Sequence, residues 1–111
     1  MAKTITIKGV TFTQLTGKQA DQLVNEFVRA ERQGDCYLWH VYGRCSQAKQ
    51  RAYDDCNYIR SKLGGSPMYI SSYNTCMFTL VYWFKHEGKA YMVKETHCNR
   101  YIAEFDLGAL R

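Results

Sequence analysis

The stretch Thr75-Cys-Met-Phe-Thr-Leu-Val-Tyr-Trp-Phe-Lys85 decides how this 111-residue chain folds. It is rich in aromatic and β-branched residues, which favour β-strands. Its apolar side chains fall on both sides of the alternating pattern, so a strand here must be covered on both faces. One face holds Cys76, Phe78, Leu80, Tyr82 and Phe84, and the other holds Met77, Val81 and Trp83. The segment therefore predicts a central strand of a sheet.

A hairpin and a last helix are predicted to follow this strand. His86-Glu87-Gly88 is a glycine-containing turn of the hairpin kind, and residues 90–95 return as the antiparallel partner. Thr96 is a favourable N-cap for a short helix that ends near Gly108. The residues that this helix would bury recur at helical spacing: Cys98, Tyr101, Ile102 and Phe105.

The N-terminal third predicts a strand and a helix. Residues 4–12 alternate as in a half-buried strand, but the phase slips at Gly9, which indicates a bulge or a tight turn. Thr16-Gly-Lys-Gln19 is a capping box, and Gln33-Gly34 ends the amphipathic pattern that follows it. We therefore expect helix 1 between these two signals.

The middle of the chain predicts a second strand and a second helix. Residues 36–42 alternate as a strand, and residues 46–63 form an amphipathic helix that stops at Gly64-Gly65. The full order is then β-α-β-α-β-β-α. We expect residues 1–111 to form a single small α+β domain, with an antiparallel or mixed sheet of about four strands and three helices, most of them on one face.

Composition and targeting signals favour a cytoplasmic protein in its host cell. The chain has no uncharged apolar run long enough to cross a bilayer, and its first residues resemble no secretory signal. Its five cysteines are an odd number with scattered spacing, which favours reduced thiols over a disulfide framework. We therefore expect a cytoplasmic location.

Tyrosines interleaved with basic residues predict a binding surface. Tyrosine combines a flat apolar ring with a polar tip, and arginine grips phosphates and carboxylates with a planar cation. The net charge of +5 favours anionic partners, although Asp54 and Asp55 dilute the positive charge locally. The alternative is that most of these rings belong to the core. The predicted contact residues are Tyr37, Trp39, Tyr42, Arg44, Tyr53, Arg60 and Tyr73.

A second candidate site lies at the predicted start of the last helix. Exposed amides at a helix N-terminus favour an anion, and polar side chains gather at this position. The alternative is ordinary capping with a solvated first turn. The candidate anion-binding residues are Thr96, His97, Asn99 and Arg100.

The sequence carries no recognisable catalytic or metal-binding pattern. Cys36 and His40 lie on one side of the same predicted strand, about 13 Å apart by strand rise, so they cannot form a dyad. A zinc site from Cys36, His40, Cys45 and Cys56 would have unusual gaps of three, four and ten residues. Nucleotide-binding glycine motifs and the G-x-S-x-G motif are absent. We expect no enzymatic activity, no metal and no cofactor.

The C-terminal third resembles a pattern found in small phage-encoded proteins. Ser72-Tyr73-Asn74-Thr75 is followed by a hairpin and then by a segment from Thr96 to Phe105, with Ile102 and Phe105 in an Ile-x-x-Phe arrangement. In that pattern the last segment is a Thr-initiated helix, and its usual Thr-Thr-Ser-x-His start is absent here. The resemblance implies a small accessory protein of a phage or mobile element that binds and blocks host or defence machinery.

Three functions are compatible with these features. The first is a non-enzymatic, phage-type inhibitor or modulator that binds a host protein stoichiometrically, with a defence or nucleic-acid-handling factor as its target. The second is direct nucleic-acid binding, which predicts an affinity that falls steeply with salt. The third is sequestration of a small anionic nucleotide at the Thr96–Arg100 segment within a closed pocket.

Overall fold

The computed structural model describes residues 3–32, 54, 57–73, 78–96 and 99–110. Within these residues, six strands form one mixed sheet in the order β1-β2-β6-β5-β4-β3. The strands are β1 (Thr4–Ile7), β2 (Val10–Gln14), β3 (Gly65–Tyr73), β4 (Phe78–His86), β5 (Lys89–Glu95) and β6 (Arg100–Phe105). Helix α1 spans Gly17–Arg32, and Leu107–Leu110 form a 3-10 turn. Residues 54 and 57–63 are the described part of a second helix, α2. An α+β fold with a mixed sheet is therefore confirmed, although the predicted element order is not.

Two tight turns with positive φ angles build the two predicted reversals. Lys8 and Gly9 have φ angles of 51° and 84°, and Glu87 and Gly88 have φ angles of 51° and 81°. Two consecutive residues with positive φ are what a type I′ hairpin turn requires. The phase slip at Gly9 is thus a turn between two strands, β1 and β2. The hairpin between β4 and β5 lies where it was predicted.

Strand β4 lies inside the sheet and is covered on both faces, as its sequence predicts. It pairs with β5 on one side and with β3 on the other. Leu80, Tyr82 and Phe84 belong to one core cluster, while Val81 belongs to the other and Trp83 packs against it. Strand β3 contains the predicted residues 68–72 and carries two register irregularities along its pairing with β4.

The sheet curves around the first of these clusters. The rings of Phe12 and Phe84 lie 6.4 Å apart, and those of Phe84 and Tyr91 lie 5.7 Å apart. Strands β2 and β4 are three strand spacings apart, which is about 14 Å in a flat sheet. The contact between Phe12 and Phe84 therefore requires the sheet to be curved. Leu63 of α2, which is almost fully buried, packs into the same cluster. We call this side the concave face.

Helix α1 covers the opposite side of the sheet, which we call the α1 face. Leu23 and Phe27 of α1 are buried in the second cluster, together with Met92 of β5. The small side chains of Ala90 and Ala103 lie in this cluster too, and they leave room for a helix to approach the strands. The two helices therefore cover opposite faces, and the expectation that helices lie mostly on one face is wrong.

The predicted last helix is also wrong, because Arg100–Phe105 forms strand β6. This strand is antiparallel to β5 and parallel to β2. Ile102 faces one core while Ala103 and Phe105 face the other, so the segment is apolar on both sides. Such a run fits a helical spacing and a buried strand equally well. Pairing with two neighbouring strands then outweighs the local helical pattern.

Two further predictions concern the middle of the chain. The predicted strand at residues 36–42 lies outside the described residues. Of the predicted helix at residues 46–63, residues 54 and 57–63 are helical, and the helix ends before Gly64 as expected. Among the described residues, no helix is long and apolar enough to cross a membrane.

Candidate functional site

The structure describes only part of the predicted contact surface. Arg60 lies on α2, and Tyr73 is the last residue of β3. The other predicted contact residues lie outside the described residues: Tyr37, Trp39, Tyr42, Arg44 and Tyr53. Of this surface, the structure therefore describes mainly the outer side of α2.

Helix α2 presents an exposed tyrosine to solvent. Tyr58 has a large, mostly hydrophobic side chain, and this side chain is 68% exposed. Asp54 and Lys62 lie four residues before and after it, so the three share one side of the helix, and all are exposed. We call these three residues the Tyr58 face. On the other side of the helix, Leu63 is buried and Ile59 packs against the same core.

Arg60 lies beside this face and is held in place by its neighbours. Its Nη2 donates a hydrogen bond of 2.8 Å to Oδ1 of Asn57 in a partly buried position. A Cβ atom added at Gly65 would overlap the Arg60 side chain and come within 3.1 Å of the Arg60 carbonyl oxygen. The predicted contact arginine is thus packed along its stem, so it has a structural role in joining α2 to β3.

Sequence reasoning left Tyr58 out of the contact set although a signal for it existed. Ile59 and Leu63 lie on the apolar stripe of this helix, and both contribute to the core. Tyr58 lies off that stripe by about 100°, the turn per residue of an α-helix. An aromatic residue off the buried stripe of an amphipathic helix is expected at the surface.

Three of the four predicted anion-binding residues are described, and Arg100 has a different partner from Thr96 and Asn99. Thr96 and Asn99 close the turn between β5 and β6: the Thr96 amide donates to the Asn99 carbonyl at 2.9 Å, and the Asn99 amide donates to Thr96 Oγ1 at 3.3 Å. Arg100 instead donates from Nε to Oε1 of Glu95 at 2.8 Å. His97 lies outside the described residues. The amides of Thr96 and Asn99 are therefore used within the turn, and strand β6 follows where the anion prediction assumed a helix.

Glu95 and Arg100 form a cross-strand ion pair on the concave face. They are direct partners in the β5–β6 register. The Glu95 side chain is only 8% exposed, while that of Arg100 is 44% exposed. A buried carboxylate needs a compensating partner, and the guanidinium supplies it. The charge of Arg100 is therefore used within the fold.

A polar groove opens on the α1 face at the end of the β5–β6 ladder. The rung of Met92 and Ala103 is apolar and anchors α1, whereas the next rung on this face pairs Lys94 with Tyr101. This change from apolar to polar side chains leaves a hollow of about 390 Å³ between the helix and the sheet. Its polar lining comes from both: Gln19, Gln22, Glu26, Lys94, Thr96 and Tyr101.

A second hollow of about 540 Å³ adjoins the first and shares Gln19 and Tyr101 with it. The Leu15 amide donates to the Ile102 carbonyl at 2.7 Å, which continues the parallel pairing of β2 with β6 and brings the start of α1 next to Tyr101. Lys3 lines the far side of this second hollow. We call the two hollows together the groove, and its size is in the range of small-molecule sites.

The groove contains a lysine whose charge is not compensated by the described part of the protein. Lys94 is half-buried, and within the described residues its side chain makes no ion pair or hydrogen bond. The side-chain amides of Gln19 and Gln22 likewise have no partner among the described residues. These groups are available to a ligand. Sequence reasoning missed the site because its residues come from distant parts of the chain.

The described residues contain no group of three or more histidine, cysteine, aspartate or glutamate side chains placed to hold a metal ion. The cysteines and histidine considered for zinc at positions 36, 40, 45 and 56 lie outside the described residues.

Comparison with known proteins gives no relative: no protein-family model, curated protein or solved structure matches the chain. Its function must therefore be inferred from the chemistry of the Tyr58 face and the groove.

Proposed function

We propose that this protein acts without catalysis, by stoichiometric binding to another protein, and that the Tyr58 face of α2 is part of the binding surface. The observation that carries the proposal is the 68% exposure of Tyr58 on a helix whose opposite side is anchored in the core. An exposed ring on a rigid helix loses little conformational entropy when a partner covers it. Tyrosine and arginine are also the residues enriched at interface hot spots.

The charges around Tyr58 favour a protein partner over a nucleic acid. Asp54 and Lys62 flank the ring with opposite charges, so the Tyr58 face itself is not uniformly basic. A phosphate backbone would be repelled by Asp54, whereas a protein surface can offer both a cation and an anion. The net charge of +5 adds a general preference for an acidic partner. We therefore propose a folded protein with an acidic surface around a shallow apolar depression.

The identity of this partner as a host protein rests on the resemblance to small phage-encoded proteins. Proteins with that pattern bind and block a host or defence factor, and we propose the same function for this protein. The last element of the pattern is a helix, and this chain has strand β6 in its place. The surface argument from Tyr58 does not depend on the resemblance.

The proposal is tested by affinity capture from a bacterial lysate treated with nuclease. Wild-type protein, Tyr58→Ala and Lys85→Ala serve as parallel baits, and Lys85 is an exposed residue of β4 far along the chain from α2. We expect wild type and Lys85→Ala to retain the same protein at a fixed stoichiometry. We expect Tyr58→Ala to lose it, because removal of a central interface aromatic costs about 2 kcal/mol or more.

The salt dependence of the captured material separates the alternatives. A protein complex built around an aromatic anchor should persist at moderate salt. Retention of nucleic acid that is released as salt rises would favour direct nucleic-acid binding instead. Equal capture by wild type and Tyr58→Ala would contradict the assignment of this surface.

A further inference from the structure

We infer that the groove binds a small planar organic anion, a ring that carries a phosphate or carboxylate group. This ligand is distinct from the protein partner, because the groove lies on the α1 face and the Tyr58 face lies on the helix that covers the concave face. The inference therefore stands or falls independently of the proposed function.

The anionic group of the ligand belongs beside Lys94 and Thr96. The Lys94 side chain is partly buried and makes no ion pair with the described residues, so its ammonium can pair with an anionic ligand. Thr96 lines the same hollow and carries a hydroxyl that can donate to an oxyanion. Glu26 lines the helix side of this hollow, which disfavours an anion there and directs it to the strands.

The rest of the groove suits a flat ring with hydrogen-bonding edges. Tyr101 is half-buried and lines both hollows, so its ring offers a surface on which a planar group can stack. The amides of Gln19 and Gln22 each provide a donor and an acceptor, and both side chains are exposed along α1. Leu15 and Leu23 add apolar lining beneath them. A few polar groups around an apolar floor are typical of small-ligand sites.

Calorimetric titration with two matched pairs of probes tests the inference. Adenosine monophosphate is compared with adenosine, and nicotinate with nicotinamide, so that each anion has a neutral counterpart with the same ring. We expect at least one anion to bind about tenfold or more tightly than its neutral counterpart, a difference of about 1.4 kcal/mol. Preference for the nucleotide identifies phosphate as the anionic group, and preference for nicotinate identifies carboxylate.

Two variants and a control locate the site. Lys94→Gln should weaken binding of the preferred anion about tenfold, and Gln22→Ala about threefold to tenfold, as expected for one lost hydrogen bond. Gln22 is exposed on α1, so its replacement should leave the fold intact even if Lys94→Gln lowers stability. Lys85→Gln removes an exposed lysine from the same face of β4 and should bind like wild type.

Three results would overturn the inference. The first is equal affinity for each anion and its neutral counterpart, or no saturable binding of either anion at ligand concentrations up to about 10 mM, about tenfold above a dissociation constant of about 1 mM. The second is wild-type affinity in both Lys94→Gln and Gln22→Ala. The third is binding of inorganic phosphate as tight as that of adenosine monophosphate, which would mean a bare anion site without a ring subsite.

Discussion

Two neighbouring residue pairs, or rungs, at the end of the β5–β6 ladder differ in whether their charged side chain forms an ion pair. Glu95 and Arg100 lie on the concave face, where the buried carboxylate is neutralised at 2.8 Å. Lys94 and Tyr101 are the adjacent rung on the α1 face, where the partly buried Lys94 makes no ion pair with any described residue. A charge that serves the fold is paired within it. Lys94 is not paired in this way, so we expect a ligand beside the rung of Lys94 and Tyr101.

The same contrast extends over the two faces. The concave face is filled by large rings, among them Phe12, Tyr82 and Phe84. The α1 face uses alanines under the helix and then opens into the groove. One face thus stabilises the fold, and the other combines stability near Phe27 with a cavity at its polar end. The following changes test this division, in order of their expected effect.

The largest effect is expected in the concave face. Phe84→Ala should lower the free energy of unfolding by about 3–5 kcal/mol, because Phe84 is fully buried and contacts the rings of Phe12 and Tyr91. Chemical denaturation measures this change. Phe84→Leu is the control and should cost clearly less, because it keeps most of the apolar volume. A loss below about 1 kcal/mol for Phe84→Ala would contradict the packing described for this face.

A smaller effect is expected beneath α1. Ala103→Val adds two methyl groups to a fully buried position in the α1-face cluster, and we expect a loss of about 1–3 kcal/mol from overpacking. Thermal unfolding followed by circular dichroism measures it. If Ala103→Val were as stable as wild type, the helix would not lie close over this strand. Lys85→Val on β4 is a control, since it introduces the same valine side chain at an exposed strand position.

The last comparison bears directly on the two rungs, and its expected effects range from the size of the Ala103→Val effect down to almost none. Arg100→Ala should lower the free energy of unfolding by about 1.5–3 kcal/mol, because it leaves the buried Glu95 carboxylate without its charged hydrogen bond. Lys94→Ala should change stability by no more than about 0.5 kcal/mol. Lys89, whose pair with Glu104 spans 3.9 Å between exposed side chains, is the control for a surface ion pair, and Lys89→Ala should cost at most about 1 kcal/mol. Equal losses for Arg100→Ala and Lys94→Ala would contradict the contrast.

Local patterns predicted those parts of the fold in which one physical signal dominates. The β4–β5 hairpin combines an apolar run, a turn with Gly88 and a returning strand, and no other structure satisfies all three. The segment from Arg100 to Phe105 lacked such agreement, because its apolar spacing suits a helix and a strand. Its pairing with β5 and with β2, which lies almost ninety positions earlier in the chain, decides between them.

The two candidate sites also differ in how far the sequence could predict them. Exposure of a tyrosine on α2 follows from its position off the buried stripe, so the sequence could indicate that part of the contact surface. The groove depends on Gln19, Lys94 and Tyr101: the β5–β6 pairing places Lys94 beside Tyr101, and the parallel pairing of β2 with β6 brings the start of α1, with Gln19, next to them. No spacing rule connects residues so far apart. The predicted anion set assumed a helix at Thr96, where the structure has the end of β5 and the turn into β6.

The most direct test of the proposed function is the affinity of the captured partner, once purified, for wild-type protein and for Tyr58→Ala. Calorimetry at moderate salt gives the affinity and the stoichiometry in one titration. We predict a 1:1 complex with wild type and an affinity at least about 30-fold weaker for Tyr58→Ala, with unchanged thermal stability of the variant. An affinity within twofold of wild type for a folded Tyr58→Ala protein, about 0.4 kcal/mol, would contradict the role of the Tyr58 face.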